Sequence, residues 1–376
     1  MPPAETTFDP ERLPERLDAL AGVDRLREAA AGLPAYLVGG AVRDLLLGRP
    51  RADIDVAVEG DVDELSRRLG GNVRTHARFA TATVRVDGLE VDLAATRRET
   101  YPRPGALPEV QPASLSEDLA RRDFTINAMA VPLGSAPRLI DPHGGLADLE
   151  RGELRVLHPR SFADDPTRAL RAARYSARYS LALEPETERL LRDADLSTVS
   201  RDRVEAELRK LAAEAEARRG FERLAEWGLF ELPEGGGGLV DGAAAVVAGG
   251  PWGSVARREQ VVLAAALGRG VDDARELARG APGRASDAVE LARGHDGVVL
   301  VLARALGAEW LDRYVAEWRD VRLEIDGDDL LAAGVEEGPA VGRGLASALR
   351  AKLDGEVAGR DEELRAALAA AREDMP

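Results

Sequence analysis

Two aspartates, Asp53 and Asp55, flank Ile54 in the segment ADIDVAVEG. On an extended chain, residues i and i+2 project from one face, about 7 Å apart along the strand. Carboxylates so placed can converge on a hard divalent cation, and Mg²⁺ takes one or two carboxylates together with substrate phosphates. Without a cation they repel each other. The alternative is a solvated strand edge of an acidic protein. Asp92, in LEVDLAAT, is a candidate third carboxylate.

Other segments suit anions. Gly39-Gly40 lies between an apolar run and a helical one in AYLVGGAVRDLLLG. Glycines there let backbone N–H groups approach a phosphate, the helix start adds its positive dipole end, and Arg43 sits one turn further on. The alternative is an ordinary strand–helix turn. SEDLARRDFTINAMA groups Arg121, Arg122, Asp123 and Asn127. Either these form a salt-bridged helix end, or Arg122 meets triphosphate or ribose while Asp123 and Asn127 shape a sugar pocket. Arg168, Arg171, Arg174 and Arg178 fall within about 120° of one another on a helix wheel. Such a stripe is unfavourable unless an anion lies against it: internal carboxylates, a nucleotide triphosphate or RNA phosphate. Asp165-Pro166 reads as an N-cap followed by proline in the first turn, with one carboxylate oxygen to spare.

The elements that must position these groups follow from periodicity. Residues 11–31 predict an amphipathic helix with Leu13, Leu17, Leu20 and Leu26 at helical spacing. Strands are expected at AYLV, DIDVAV, TATVRV and LEVDLAAT, the last two joined at the hairpin dipeptide Asp87-Gly88, and another in FTINAMAVPL. The Pro-rich stretch YPRPGALPEVQP predicts a surface loop, and residues 97–113 are a candidate mobile element. From about Ala147 the pattern turns helical, with helices expected over 164–180, 185–195, 201–219 and 254–268. GGGG at 235–238 and the small residues at 242–250 predict a loose connection. The first 155 or so residues are thus mixed α/β and the rest mostly helix, with no repeats of 20–50 residues.

The 376 residues are 45% hydrophobic and 31% charged, a globular balance. Cysteine is absent, which removes disulfides, thiol nucleophiles and cysteine zinc sites, and four scattered histidines argue against a His-metal cluster. No apolar run is long enough to span a bilayer and no secretory signal opens the chain, so the expectation is a cytoplasmic protein. The net charge of −16 argues against a nucleic-acid partner. Yet residues 151–220 carry 15 Arg and Lys against 13 Asp and Glu. Only Lys210 and Lys352 are lysines, so the cations are almost all arginine, the bidentate phosphate reader.

In order, LVGGAVRDLLLG…DIDV, DLARRDFTINAMA, DPHGGLADL, DDPTRALRAARYSARY and RDRVEAELRKL resemble the motifs of class II tRNA nucleotidyltransferases, the CCA-adding family, and of the related bacterial poly(A) polymerases. The motifs span residues 37–211, and IDGDDLLAAGVEEGPAVGRGLASAL is similar to that family's tail. The resemblance implies an α+β fold: a DNA polymerase β-type nucleotidyltransferase head with a mixed sheet (1–155), then an all-α neck (156–220), body (221–320) and tail (321–376). It implies a two-metal Mg²⁺ site on Asp53 and Asp55, with Gly39, Gly40, Arg43, Arg122, Asp123, Asn127, Arg171 and Arg174 around the nucleotide. Asp165 and Arg168 match the pair that reads the base. The chain departs from the family at Tyr175, where Phe is common, and at Asp164, where Glu is.

Physical chemistry supports the base reading. Cytosine and adenine each present an amino donor beside a ring-nitrogen acceptor, matching a carboxylate and a guanidinium; guanine and uracil do not. The implied partners are the tRNA 3′ end, CTP and ATP, with no membrane and no obligate protein partner. Gly334, Gly338, Gly342 and Arg343 are candidate tRNA contacts, or else a helix-packing joint. CC-only or A-only addition and poly(A) synthesis are alternatives, as is a non-catalytic RNA-binding relative, against which joint retention of Asp53, Asp55, Arg122, Asp165 and Arg168 speaks. His295-Asp296 has no neighbouring histidine to form a phosphohydrolase metal site and predicts a loop.

Overall fold

The computed structural model describes residues 10–372, apart from 21, 50–52, 77–80, 87–88 and 135. The dipeptide Asp87-Gly88 lies outside the described residues, as does the side chain of Asp53. The chain divides into two compact units, Met1–Leu211 and Ala212–Pro376.

The first unit opens with α1 (Leu13–Asp18) and α2 (Val23–Ala30), not the single helix expected over 11–31. The break falls before Gly22, whose φ of 77° stops helix propagation, while Leu13, Leu17 and Leu26 still reach the core. There follow β1 (Ala35–Val38), α3 (Gly40–Leu46), β2 (Asp53–Val58), α4 (Val62–Leu69), β3 (Asn72–His76), β4 (Thr81–Val86) and β5 (Leu89–Ala95). Asp61 caps α4 by accepting from the Asp63 N–H, and Leu65 and Leu69 are fully buried beneath it. Each such leucine contributes about 1.5–3 kcal/mol of apolar burial.

β6 (Arg97–Thr100) and β7 (Glu109–Pro112) pair as an antiparallel ribbon. Part of the Pro-rich segment expected as loop is therefore strand. Pro102, Pro104 and Pro108 sit in the connection, and Pro112 falls at the ribbon's end, where a missing N–H is tolerated. α5 (Leu115–Ala120) starts on a capping box formed by Ser114 and Glu117. The expected strand in FTINAMAVPL shortens to β8 (Ala130–Pro132), because Thr125–Asn127 forms a 3₁₀ turn. Thr125 and Asn127 spend their side chains on Asp148 and Asp123, bonds that compete with a ladder.

The resulting six-stranded sheet has the order β3-β4-β5-β2-β1-β8. β2 and β5 run parallel and all other neighbours antiparallel, giving the mixed sheet expected of an α+β head. Strand alternation buries Ile54, Val56, Val91 and Leu93 while leaving Asp55 and Asp92 exposed. These two aspartates are register partners on the parallel pair. The unit continues through α6 (Gly145–Arg151), β9 (Glu153–Leu154), α7 (Ser161–Asp164), α8 (Thr167–Tyr179), β10 (Ala182–Leu183), α9 (Pro185–Leu191) and α10 (Arg201–Ala212). β9 and β10 make a small parallel pair within the region expected to be helical.

The second unit is helical: α11 (Ala217–Glu226), α12 (Gly236–Ala248), α13 (Arg258–Leu267), α14 (Val271–Ala278), α15 (Ala285–Ala292), α16 (Gly297–Ala305), α17 (Leu311–Arg313), α18 (Gly327–Ala332), α19 (Pro339–Leu353) and α20 (Arg360–Arg372). The long helices expected over 201–219 and 254–268 are interrupted at 213–216 and 255–257. The glycine run is not a loose connection: Gly236, Gly237 and Gly238 are the first turn of α12. A Cβ on Gly236 would press on Leu232 and Pro233, and one on Gly237 on Glu222 and Arg218, at 3.0–3.4 Å. Close packing thus bears against the ~1 kcal/mol helix penalty at Gly236 and Gly237, whereas a Cβ on Gly238 would meet open space. Asp296 caps α16 through the Val299 N–H, so His295-Asp296 is a helix entry. Among the described residues no helix is long and apolar enough to cross a membrane.

Candidate active site

One cavity of about 950 Å³ in the first unit collects almost every residue singled out for chemistry. Its lining includes Gly39, Gly40, Arg43, Asp55, Asp92, Arg122, Asp123, Asn127, Asp165, Arg168, Arg171 and Arg174. Asp53 opens β2 opposite Glu90 in register, with its side chain outside the described residues. Asp92 accepts from the Thr83 hydroxyl at 2.6 Å. The cavity therefore has carboxylates from β2 and β5 and guanidiniums from α3, α8 and the end of α5.

Gly39 holds φ 68° and ψ −132°, a region open to glycine. A Cβ there would lie 2.6 Å from Nη1 of Arg122, so the glycine makes room for that guanidinium. Arg122 donates to Asp118 at 2.9 Å and to the Asn127 carbonyl at 3.4 Å. Asp118 also takes Arg121 at 2.7 Å. Burial alone would raise the carboxyl pKa of Asp118, but Arg122 and Arg121 beside it hold it below its ordinary value.

Arg43 is 2% exposed. Its Nε donates to Asp44 at 3.0 Å, Nη1 to Asn127 Oδ1 and Nη2 to the Tyr179 hydroxyl at 2.5 Å. It stacks 4.3 Å from the Tyr179 ring centroid. Burial pushes the Tyr179 phenol pKa up, with Asp44 adding to it and Arg43 opposing. Asn127 passes the contact on, donating to Asp123 at 2.9 Å. Asp123 in turn accepts from Arg171 at 2.5–2.8 Å and from the Phe124 N–H at 2.9 Å. Although burial works the other way, Arg171 and Asn127 keep the Asp123 carboxyl far below the usual range.

The arginine stripe on α8 is answered by internal groups. Arg171 has Asp123, Arg174 lies 3.8 Å from Glu207, and Lys210 joins Glu207 at 2.7 Å. Tyr175 stacks edge-on with Phe124 at 5.9 Å while its hydroxyl accepts from Arg171 at 3.1 Å, a bond that phenylalanine lacks. Among the described residues Arg168, 4% exposed, is held by uncharged acceptors alone: Ser161 Oγ at 3.1 Å, the Arg121 carbonyl at 2.8 Å and His158 Nε2 at 3.5 Å. Burial, and then the Arg168 charge, lower the His158 pKa. Among the described residues no acceptor takes Nε of Arg168 or the second N–H of Nη2, which leaves both as donors for a ligand. Asp165 accepts from the Thr167 N–H and hydroxyl at 3.1 and 2.7 Å and from Arg203 at 2.9 Å. Asp165 thus lies one residue before the N-cap position of α8, which Pro166 occupies, and its side chain closes a turn onto Thr167 rather than capping the helix as expected, with Arg203 added to it.

Asp118, Asp44, Tyr179, Arg203 and Glu207 escaped the sequence reading as site residues. Only the last two left a usable signal, being one helical turn apart in RDRVEAELRKL. The tail candidates Gly334, Gly338, Gly342 and Arg343 belong to the second unit. A Cβ on any of the three glycines would meet open space, and the close helix packing falls instead on Gly344, against Ala367 O at 2.7 Å.

Comparison with known proteins agrees with this geometry. Residues 35–155 match the model of the poly A polymerase head domain. The chain is 35% identical to an A-adding tRNA nucleotidyltransferase of Geobacter sulfurreducens over 395 residues, 89% of this chain and 45% of that one. It is 37% identical to a CC-adding tRNA nucleotidyltransferase of Deinococcus radiodurans over 364 residues, 92% of this chain and 93% of that one. The chain spans about half the length, or less, of the A-adding relatives it matches. Among solved structures, a CCA-adding enzyme in an apo form is similar with TM-score 0.77 and 29% identity, covering 96% of each chain. A CCA-adding enzyme complexed with CTP is similar with TM-score 0.73 and 27% identity, covering 96% of this chain and 98% of that one. With its mixed-sheet head, its ordered motifs and an end-to-end relative at this identity, the chain belongs to the tRNA nucleotidyltransferase family.

Proposed function

We propose that the chain adds C and A residues, or one of the two, to the tRNA 3′ end from CTP and ATP without a nucleic-acid template. What carries this reading is a single cavity lined by a carboxylate pair, a bank of guanidiniums and the Asp165/Arg168 pair. In it, residues 1–155 serve as head, 156–220 as the neck that reads the base, 221–320 as body and 321–376 as a tRNA-binding tail. Such an enzyme works in the cytoplasm, where tRNA and nucleoside triphosphates meet.

The donor set suits a hard cation. Asp55 and Asp92 are register partners offering carboxylate oxygens, and Asp53 lies two residues before Asp55 on the same strand. Among the described residues no three His, Cys, Asp or Glu are grouped to hold a metal alone, so substrate phosphate oxygens would complete the set. Held there, Mg²⁺ would supply Lewis-acid stabilisation of the attacking and leaving oxygens.

The chain's own part is positioning and neutralisation. Arg122, Arg171 and Arg174 balance triphosphate charge, with Arg43 behind them; Gly39 spends its N–H on the Met129 carbonyl at 3.2 Å and makes room for Arg122, so of the glycine pair Gly40 is the one that faces the phosphates. Asp123 and Asn127 shape the sugar pocket. Asp165 accepts from the exocyclic amino group of C or A, and Arg168 donates to the adjacent ring nitrogen. As the RNA 3′-oxygen bonds to the α-phosphorus, the bond to pyrophosphate breaks. Guanine or uracil sets an oxygen against Asp165 and a ring N–H against Arg168, leaving both groups of the pair unsatisfied at about 1–3 kcal/mol each.

The end-to-end match to a CC-adding relative, against partial matches to A-adding ones, favours CC-only addition as the second reading. The test is to offer CTP and ATP separately to tRNAs truncated at each 3′ position and to size the products. One to three added residues support the proposal and assign the step. A long tail would indicate poly(A) synthesis, and no product a non-catalytic relative.

A further inference from the structure

The motif RDRVEAELRKL carries Arg203, which none of the roles above uses. We infer that Arg203 is a specificity-positioning residue: it sets the orientation of Asp165 and so decides which base edge the cavity accepts. The inference rests on Asp165 being the group that meets the base amino donor.

The geometry is a clamp with two fixed ends. From α10, Nη2 of Arg203 donates to Oδ1 of Asp165 at 2.9 Å, and Nη1 donates to the carbonyl of Gly105 at 2.9 Å. The Thr167 N–H and hydroxyl reach the same Oδ1. Three donors therefore meet on one carboxylate oxygen, and no hydrogen bond from a described residue reaches Oδ2. An oxygen held from three directions stops rotation of the carboxylate and gives the other oxygen one bearing, as an acceptor for a ligand N–H.

The far end is equally constrained. Gly105 has φ 70°, and a Cβ there would lie 2.4 Å from Thr198 Oγ1 and 2.6 Å from the Thr198 carbonyl. Its N–H donates to the Asp164 carbonyl at 3.3 Å. The turn between β6 and β7 is thus seated against α7 and the entry to α10, and its carbonyl is a fixed acceptor. Arginine's planar fork spans both acceptors at once, which a lysine ammonium does with poorer geometry. Arg203 contacts Asp165 and not the groups assigned to the triphosphate, so its loss should alter choice of base more than turnover.

The test uses the full chain with Arg203→Gln, Arg203→Lys and Gly105→Ala. Measured are kcat and KM for CTP, ATP and UTP on truncated tRNA, and Kd for CTP and UTP without RNA. Arg203→Gln is expected to lower the kcat/KM preference for the correct nucleotide over UTP about 10- to 100-fold. The loss should lie mainly in KM and Kd, with kcat at saturating CTP nearly unchanged. Arg203→Lys should recover part of the preference, and Gly105→Ala should lower it in the same direction. Equal losses for every nucleotide, with the preference intact, would overturn the inference. If the unaltered protein shows no preference for C or A, the reading of the cavity itself falls, and this with it. A selective parent with an equally selective Arg203→Gln variant removes only the role of Arg203.

Discussion

Replacing Asp123 by asparagine tests whether the cavity wall is held by the ion pair between this buried carboxylate and the half-buried Arg171. The side chain keeps its size but loses the charge that faces Arg171 at 2.5–2.8 Å. The amide can still accept from the Phe124 N–H, 2.9 Å away, so the loss centres on Arg171. Among the described residues that guanidinium then has Glu207 alone, at 3.8 Å, as a carboxylate neighbour. Removing one partner of a fully buried pair costs about 3–5 kcal/mol, but the Arg171 side chain is 29% exposed and water takes up part of its unpaired charge, so the loss is about 2 kcal/mol. With a urea slope of about 2 kcal/mol/M, the transition of the first unit should move down by about 1 M.

All four tryptophans, at 227, 252, 310 and 318, lie in the second unit, which supplies an internal control. Hydrogen exchange in peptides covering β8 and α8 should report the loss, while the tryptophan fluorescence transition should stay in place. A shift under about 0.5 M in the first unit, or an equal shift in both, would refute the reasoning. The depressed Asp123 pKa gives a second signature. Its contribution is complete above the ordinary carboxylate pKa of about 4 and fades as pH falls below that value. Asp123→Asn should therefore remove part of the acid sensitivity of the first unit.

Asp55→Asn should abolish nucleotide transfer yet leave tRNA affinity unchanged in a filter-binding assay, and substantial residual turnover would contradict the metal assignment. Because burial and Arg168 lower the His158 pKa, the folded chain resists protonating it. Stability should be full above about pH 6.5 and decline as pH falls below it, a slope that His158→Gln flattens in melting curves between pH 7.5 and 5.5. Arg343→Glu should weaken tRNA binding and reduce its salt dependence by about one counterion while leaving CTP affinity unchanged. Loss of both affinities would move Arg343 out of the RNA-binding role.

Much of the site was legible because it is written at short range. Asp55 stands clear of the core because β2 alternates, and Gly39-Gly40 turns because glycine reaches φ 68° without steric cost. The arginine stripe on α8 follows from helical spacing alone. Each depends on the geometry of a few consecutive residues, which the chain carries wherever it goes.

Pairing across the fold was not legible in that way. That Arg171 meets Asp123, 48 residues earlier, is decided by how α8 lies beside the chain that follows α5, and that Arg203 meets Asp165 by how α10 lies beside the turn between α7 and α8. Burial of Arg43 under Tyr179 and helix formation by Gly236–Gly238 belong to the same class. There neighbouring elements override what local propensity prefers, because long-range contacts exist only after the backbone has folded. The amino-acid order alone determined which groups could do chemistry and on which kind of element. Tertiary structure decided which of those charges answer one another, since a partner distant along the chain is brought near only by packing.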